Sequence, residues 1–199
     1  MTNRQLFLNH VGQTSEAPLA LEIIKAEDDY LHIMVYGELV QSPQVQYATL
    51  LTQHLPASLN SVFFTASGSE ATEGAMKLAK RFQNRTQIIS FKNSYHGSTQ
   101  GALSVMGSEY WQQAFRPLLP DILQMNYNSF EDLEKITTRT ACVIAETIQA
   151  EAGVLVPQNG WLKALRKKCD ETGTLLVLDE IQCGFGRNGT LWAFEQFDV

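Results

Sequence analysis

The sequence predicts an α/β fold in which a mainly parallel sheet is flanked by helices. Two observations carry this prediction: the first concerns the fold, and the second concerns the globular character of the chain. From about residue 61 onward, short β-rich apolar runs alternate with helical patterns, which is the signature of a parallel sheet wrapped by helices. The composition, 44% hydrophobic and 18% charged over 199 residues, is typical of a soluble globular chain. We expect an arm and connector over residues 1–60 and a sheet domain over residues 61–199.

The apolar runs predict five strands, at residues 61–65, 87–91, 122–125, 141–145 and 174–178. Apolar spacing and end signals predict the helices between them, at residues 71–82, 98–106, 130–137 and 160–171. Ser129 is the expected N-cap of the third helix and Gly173 the expected C-cap of the fourth. Crossovers in such a sheet place all strand carboxyl ends along one edge, where open α/β folds bind ligands. Polar motifs that follow the strands should therefore converge.

The first 60 residues carry weaker signals. Residues 30–36 alternate weakly, as in a strand. Ser42-Pro43 is a good N-cap and first-turn pair for a helix that continues to about residue 55.

Charge and composition exclude several classes of protein. A net charge of −6 and a pI near 5.2 argue against nucleic acid as the main partner, which would need a cationic face. No apolar run approaches the roughly 20 residues that span a bilayer, and residues 1–10 are too polar for a secretory signal. We expect a cytoplasmic protein with no membrane partner. The three cysteines and four histidines lack ligand spacing, so no metal site is predicted.

The first motif is Ser67-Gly-Ser-Glu-Ala71, which joins the predicted strand at 61–65 to a helix. Small residues and free N–H groups at a helix N-terminus form an anion site, and Gly68 and Ser69 suit a phosphate. The alternative is a simple capping box, because Ser67 and Glu70 have the required spacing.

The second motif, Tyr95-His-Gly97, follows the next strand. The Tyr95 ring could stack on a planar cofactor or simply cover the core as a loop aromatic. We expect His96 to be a hydrogen-bonded loop residue rather than a base.

Two further strand ends carry acids. Glu146 and Glu151 follow the strand at 141–145 and are either functional groups or solvated loop charges. Asp179 ends an apolar run and should be partly buried, so it needs a cationic partner. A protonated pyridine nitrogen and a structural arginine both meet this need.

Taken in order, these segments resemble the class III aminotransferases of pyridoxal-phosphate (PLP) fold type I, and the resemblance runs through nearly all of residues 61–199. The segments that carry it are Ser67-Gly-Ser-Glu-Ala71, Tyr95-His-Gly97, Glu146-x-x-Gln-x-Glu151 and Asp179-Glu-Ile-Gln-x-Gly184. The resemblance implies that residues 61–199 are part of a PLP-binding large domain. It also implies a transamination between an amino donor, such as an ω-amino acid, and a 2-oxo acid, and a homodimer in the full-length parent.

The same resemblance assigns a role to each matching residue. Gly68 and Ser69 match the cofactor-phosphate loop, and Tyr95 matches the residue stacked on the pyridine ring. Asp179 matches the partner of the ring nitrogen, and Gln182 matches the side chain near the phenolic oxygen. The remaining matches concern the substrate pocket: Glu151 matches a carboxylate that pairs with a switching arginine, and Glu146 lies close to the same pocket.

Three departures from the family pattern affect the expected activity. Cys183 stands where the family usually has threonine, and the segment after Glu27 is shorter than usual. The Schiff-base lysine of the family follows the Asp179 strand by one more strand unit, and no lysine of this sequence occupies a matching motif. We therefore expect no catalytic residue in this chain and no activity of the chain alone.

Two alternatives remain open. One is a noncatalytic remnant that binds PLP weakly or acts only through a partner chain. The other is an ordinary nucleotide-binding domain that uses residues 67–69, against which the absence of GxGxxG and Walker lysine patterns counts.

Overall fold

The computed structural model describes residues 2, 5, 6, 9 and 40–199. The chain divides into two compact units, Met1–Thr65 and Ala66–Val199. The weak strand predicted at residues 30–36 and the shortened segment after Glu27 lie outside the described residues. No helix within the described part is long and apolar enough to cross a bilayer.

In the first unit, helix α1 spans Ser42–Gln53 with proline in its first turn. Val45 and Ala48 on this helix are buried and form a small core to which Val62 and Phe64 add partly buried side chains. The strand predicted at residues 61–65 is wrong, because only Val62 forms a β-bridge there. The alternating apolar side chains of this segment pack in the core with α1 rather than entering the main sheet.

The second unit contains the sheet and its helices. Their bounds in chain order are α2 Gly68–Gln83, β1 Gln87–Phe91, α3 Gln100–Ser104, α4 Glu109–Gln112, β2 Ile122–Met125, β3 Thr140–Glu146, α5 Trp161–Thr172 and β4 Leu175–Asp179. Three 3-10 helices complete the unit, at Gln113–Phe115, Glu131–Lys135 and Ala193–Phe197. The strands pair in the order β2-β1-β3-β4, and all pairs are parallel. The predicted α/β fold is confirmed.

Side-chain alternation along the central strands creates a core on each face of the sheet. Ile89 and Val143 pack with the buried face of α5, including Trp161 and Leu165. On the other face, Ile88, Cys142 and Ile144 pack with Met76 and Ala79 of α2. Every residue of β3 is buried, and β3 lies inside the sheet between β1 and β4.

The helix predicted at residues 130–137 is wrong in type. The structure has the 3-10 helix Glu131–Lys135, with bonds from the Leu133 amide to the Phe130 carbonyl and from the Ile136 amide to the Leu133 carbonyl. Ser129 does accept the Asp132 N–H at 3.2 Å, as a cap would. Only Leu133 and Ile136 supply a buried apolar contact, so one tight turn is enough and no longer α-helix forms.

A buried carboxylate fixes this 3-10 helix to the end of β2. Asp132 accepts the Asn126 N–H at 2.6 Å and pairs with Lys135 Nζ at 2.5 Å. The hydrogen bond from Lys135, followed by the one from the Asn126 amide, lowers the pKa of the Asp132 carboxyl.

We expect Asp132→Asn to lower the free energy of unfolding by about 1 kcal/mol at neutral pH, because the charged hydrogen bonds are lost. The pKa of Asp132 is lower in the folded chain than in the unfolded chain. The ionised carboxylate therefore stabilises the fold above its ordinary pKa of about 4, and this stabilisation is lost as the pH falls through the lowered value. Urea unfolding at several pH values measures the difference. Glu134→Gln, an exposed acid on the same helix, is the control with little effect. This account would be contradicted if the difference in unfolding free energy between Asp132→Asn and the unmodified protein stayed the same at acid pH.

Candidate functional site

A cavity of about 400 Å³ lies where β3, β4 and the loop after β1 meet the N-terminus of α2. All five residues predicted to bind a cofactor line it, and Glu146 lines it as well. The five are Gly68, Ser69, Tyr95, Asp179 and Gln182. Glu151 is not among the lining residues and lies exposed in the turn after β3. The structure therefore brings together every predicted site residue except Glu151.

The N-terminus of α2 combines a cap with open amides. The Ser67 hydroxyl accepts the Glu70 N–H at 3.2 Å, and the Glu70 carboxylate accepts the Ala66 N–H at 2.8 Å. The expected cap at Ser67 is therefore present, although the Glu70 carboxylate binds the amide one residue before it. The cap does not compete with an anion site, because the amides of Gly68 and Ser69 in the first turn have no acceptor within the helix. These two amides and the helix dipole favour an anion at the cavity wall.

The loop after β1 packs directly on this helix end. Gly97 has φ +119°, and a Cβ there would lie 2.2 Å from Ser69 Oγ. Ser69 Oγ accepts the Ser98 N–H at 3.2 Å, which leaves the hydroxyl hydrogen of Ser69 able to donate to a ligand. The Thr72 hydroxyl donates to the His96 carbonyl at 2.9 Å. Only glycine at position 97 allows this close approach.

Asp179 ends β4 and has a buried partner that the sequence analysis did not identify. Its Oδ2 lies 2.7 Å from His96 Nδ1, with side-chain exposures of 7% and 0% respectively. Because a carboxylate only accepts, we place a hydrogen on His96 Nδ1. Asp179 Oδ1 accepts the Ile181 N–H at 3.1 Å. The sequence analysis left two cationic partners open for Asp179, a protonated pyridine nitrogen and a structural arginine. Within the described residues no arginine pairs with Asp179, and its side-chain partner is a histidine instead.

His96 was expected to be a hydrogen-bonded loop residue, and this is correct. Its partner is 83 residues away along the chain, a separation that no local pattern reveals. His96 Nε2 is buried and has no hydrogen-bond partner among the residues that the structure describes.

Glu146 is the second carboxylate of the cavity and is only 4% exposed. Its oxygens accept the N–H groups of Tyr95 at 2.9 Å and Ala150 at 3.1 Å. Burial raises the pKa of Glu146, and the two backbone hydrogen bonds oppose this shift. The bond to Tyr95 fixes the backbone below an aromatic side chain that is 46% exposed. The Tyr95 side chain is thus available to a ligand on a fixed backbone.

Cys183 lines the cavity beside Gln182 and is 7% exposed. Burial, with the nearby Glu180 carboxylate as the next cause, raises the pKa of this thiol. Cys183 is therefore a protonated thiol at neutral pH and not a reactive thiolate. Within the described residues, no group of three or more histidines, cysteines and acids could hold a metal ion.

Glu180 is a structural centre of the site that the sequence analysis missed. It accepts the N–H groups of Ala193 at 2.6 Å and Phe194 at 3.0 Å, and it accepts the Thr147 hydroxyl. A Cβ on Gly184 would lie 2.7 Å from the Glu180 carbonyl oxygen. The sequence carried one signal for this role: an acid, Glu180, directly follows Asp179, and a glycine, Gly184, stands four residues after that acid.

Comparison with known proteins decides the family. Residues 10–199 match the family described as aminotransferase class-III. The chain belongs to the class III aminotransferases. The resemblance found in the sequence is confirmed, and the nucleotide-binding alternative is wrong.

The chain is similar to curated members of this family over part of their length. It is 42% identical to the acetylornithine aminotransferase of Methanopyrus kandleri over 183 residues, which cover 92% of this chain and 47% of that protein. It is 37% identical to the [LysW]-aminoadipate semialdehyde/glutamate semialdehyde transaminase of Sulfolobus acidocaldarius, with the same coverages. The chain spans about half the length of these curated relatives.

Solved structures of transaminases share the fold. A transaminase from the marine bacterium Virgibacillus matches with a TM-score of 0.74 and 31% identity, over 79% of this chain and 40% of that chain. The taurine:2-oxoglutarate aminotransferase of Bifidobacterium kashiwanohense, solved with PLP and glutamate, matches with a TM-score of 0.73 and 28% identity. That match covers 79% of this chain and 41% of the other.

We expect His96→Leu to destabilise the fold by about 2–3 kcal/mol, because it leaves a buried carboxylate without its side-chain partner. His96→Asn is the matched control, since an asparagine N–H can take the place of Nδ1–H and should recover part of this loss. Thermal and urea unfolding of both variants measure the effect. Equal stability of the leucine and asparagine variants would show that the hydrogen bond to Asp179 contributes little.

Proposed function

We propose that this chain binds pyridoxal 5'-phosphate and forms part of a transaminase that moves an amino group from an amino donor to a 2-oxo acid. The observation that carries the proposal is the presence of three different groups in one cavity. The helix end at Gly68 and Ser69 suits a phosphate, Tyr95 suits a planar ring face, and Asp179 suits a protonated ring nitrogen. A volume of about 400 Å³ suits a small cofactor.

The residues present fit this cofactor. The amides of Gly68 and Ser69 lack acceptors within the helix, and the Ser69 hydroxyl has a hydrogen to donate. The Asp179 carboxylate is held in place by His96 and by the Ile181 N–H. Among the described residues, no lysine or arginine side chain pairs with Asp179.

In this proposal each residue has one task. PLP, when bound, supplies an electron sink that depends on a protonated ring nitrogen. Asp179 holds that proton on the ring nitrogen, and His96 Nδ1 orients the Asp179 carboxylate. Gln182, which lines the same cavity, would be the side chain near the phenolic oxygen of the cofactor. Glu146 borders the substrate from its buried position at the end of β3.

Glu151 has a different place in the proposal. It is exposed outside the cavity, so a role in the substrate pocket requires a partner, such as an arginine, from outside the described residues.

The proposed amino donor is an ω-amino acid. Relatives are named for acetylornithine, and structural neighbours for ornithine and taurine. Ornithine and taurine each carry an amino group at the far end of the chain from an acid group. These names support an ω-amino acid as the class of amino donor.

Turnover in this family requires the Schiff-base lysine. Among the described residues, no lysine lines the cavity. We therefore propose that these residues alone bind the cofactor without a covalent bond and without turnover. The same observation favours the alternative that the chain is a noncatalytic protein that binds PLP weakly or acts through a partner chain.

We also propose a homodimer in the full-length parent and a cytoplasmic location. Tyr110, Trp111 and Phe115 are each more than half exposed. A cluster of exposed aromatic side chains on one segment is typical of a surface that another chain covers.

We expect PLP to bind saturably to the protein as its gene encodes it, with changes in absorbance and circular dichroism. Asp179→Asn should weaken binding about tenfold, because the charged hydrogen bond to the ring nitrogen is lost. Asp170→Asn, which removes an exposed acid on α5 that pairs with Arg166, is the matched control and should bind as tightly as the unmodified protein. No spectral change at high PLP concentration would overturn the proposed site.

Turnover separates the transaminase from the noncatalytic alternative. The protein is incubated with PLP, ornithine or acetylornithine, and 2-oxoglutarate, and the glutamate formed is measured. Glutamate formation supports the transaminase, whereas saturable PLP binding without glutamate supports the noncatalytic protein.

A further inference from the structure

We propose that Thr147 and Glu180 form a clamp that sets the relative position of two strand ends and so holds Asp179 in place for the cofactor. The clamp is the hydrogen bond from the Thr147 hydroxyl to Glu180 Oε1. This inference rests on the proposed function and adds two positioning residues to the same site.

The strand register shows where the clamp acts. Glu146 of β3 and Asp179 of β4 are the last pair of their ladder. Thr147 and Glu180 directly follow the two strands, one residue beyond the last paired position. The side-chain hydrogen bond therefore continues the register by one residue past the backbone ladder.

The last pair of the ladder needs such support. Glu146 and Asp179 are both acids, and like charges opposite each other destabilise paired strands. Burial raises the pKa of Glu146, and the Asp179 charge adds to this shift. In the described sheet β4 is an edge strand paired only with β3. Repulsion between the two acids would therefore act directly on the position of β4.

Glu180 is a suitable fixed point for the clamp. Its carboxylate also accepts the N–H groups of Ala193 and Phe194, at 2.6 and 3.0 Å. Its carbonyl accepts the Gly184 N–H at 2.8 Å. Its position is thus set by the segments on both sides of residues 185–192. Thr147 is fully buried, so the hydrogen bond connects β3 to a carboxylate that is already fixed.

A simpler account gives Glu180 a capping role only. Its carboxylate accepts the first two amides of the 3-10 helix Ala193–Phe197, as a helix cap does. Under this account the Thr147 hydroxyl merely satisfies a buried polar group, and its loss would change stability alone. Under the clamp, its loss also disturbs the contact between Asp179 and His96.

The test compares Thr147→Val with Thr140→Val in the protein as its gene encodes it. Thr140 is the matched control: it is equally buried, lies at the opposite end of β3, and donates to the Gln87 side chain on β1 at 2.9 Å. NMR of protein labelled with ¹⁵N-histidine follows the His96 Nδ1–H resonance without cofactor, assigned by its loss in His96→Gln. PLP titration then gives the dissociation constant, and thermal unfolding gives Tm.

We expect Thr147→Val to shift or broaden the His96 Nδ1–H resonance and to weaken PLP binding about tenfold. Thr140→Val should lower Tm to a similar degree and leave the resonance and the dissociation constant unchanged. Thr147→Ser, which keeps the hydroxyl, should behave like the unmodified protein. Thr147→Ala removes the hydroxyl without adding a methyl group and replaces the valine variant if that variant does not fold.

The outcomes separate the clamp from the proposed function. An unchanged His96 resonance in Thr147→Val and Thr147→Ala would overturn the clamp, even if PLP binds to the unmodified protein. If PLP does not bind to the unmodified protein, the proposed function fails, and the His96 resonance still decides whether the clamp holds Asp179.

Discussion

The burial of two carboxylates at neighbouring strand ends is the constraint on which the site depends. Register makes Glu146 and Asp179 the final pair of β3 and β4, and a buried carboxylate without partners costs several kcal/mol. Glu146 is stabilised by backbone N–H groups, including that of Tyr95, and Asp179 by His96. Both partners belong to the loop after β1. The two acids can therefore be buried at the strand ends only when that loop is packed against them.

The same loop couples the two halves of the cavity. The His96 carbonyl is bound by Thr72 of α2, and Gly97 lies against Ser69 with no room for a side chain. The helix end at Gly68 and Ser69 and the Asp179 carboxylate are thus connected through consecutive residues of one loop. A displacement of His96 would therefore disturb the N-terminus of α2 as well, so one loop connects the two ends of the cavity that we propose for the phosphate and the ring of the cofactor.

The sequence could predict the parts of this arrangement that depend on local patterns. Buried apolar runs from Gln87 onward marked the strands, and the rule that parallel strands share one carboxyl edge brought most of the site residues together. Local patterns could not decide between alternative packing partners. The alternation at residues 61–65 fits a sheet or the core with α1 equally well, and the structure chooses the latter. The pairing of His96 with Asp179 connects positions 83 residues apart and left no local signal. The sequence around Glu180 marked an acid and a glycine, but it could not show that this acid binds the amides of Ala193 and Phe194.

The site is assembled from segments that lie between residues 67 and 183, so it exists only when the register of the whole sheet is formed. Contacts between such distant segments form at a cost in chain entropy. A ligand that binds only the folded chain adds RT ln(1 + [L]/Kd) to its stability, about 2.7 kcal/mol when the ligand is at 100 times Kd. A change that loosens the cavity alone would remove this increment and leave the stability of the ligand-free chain intact. A change in the sheet core would lower both. The free energy of unfolding, measured with and without the cofactor, therefore distinguishes residues that stabilise the sheet from residues that only shape the cavity.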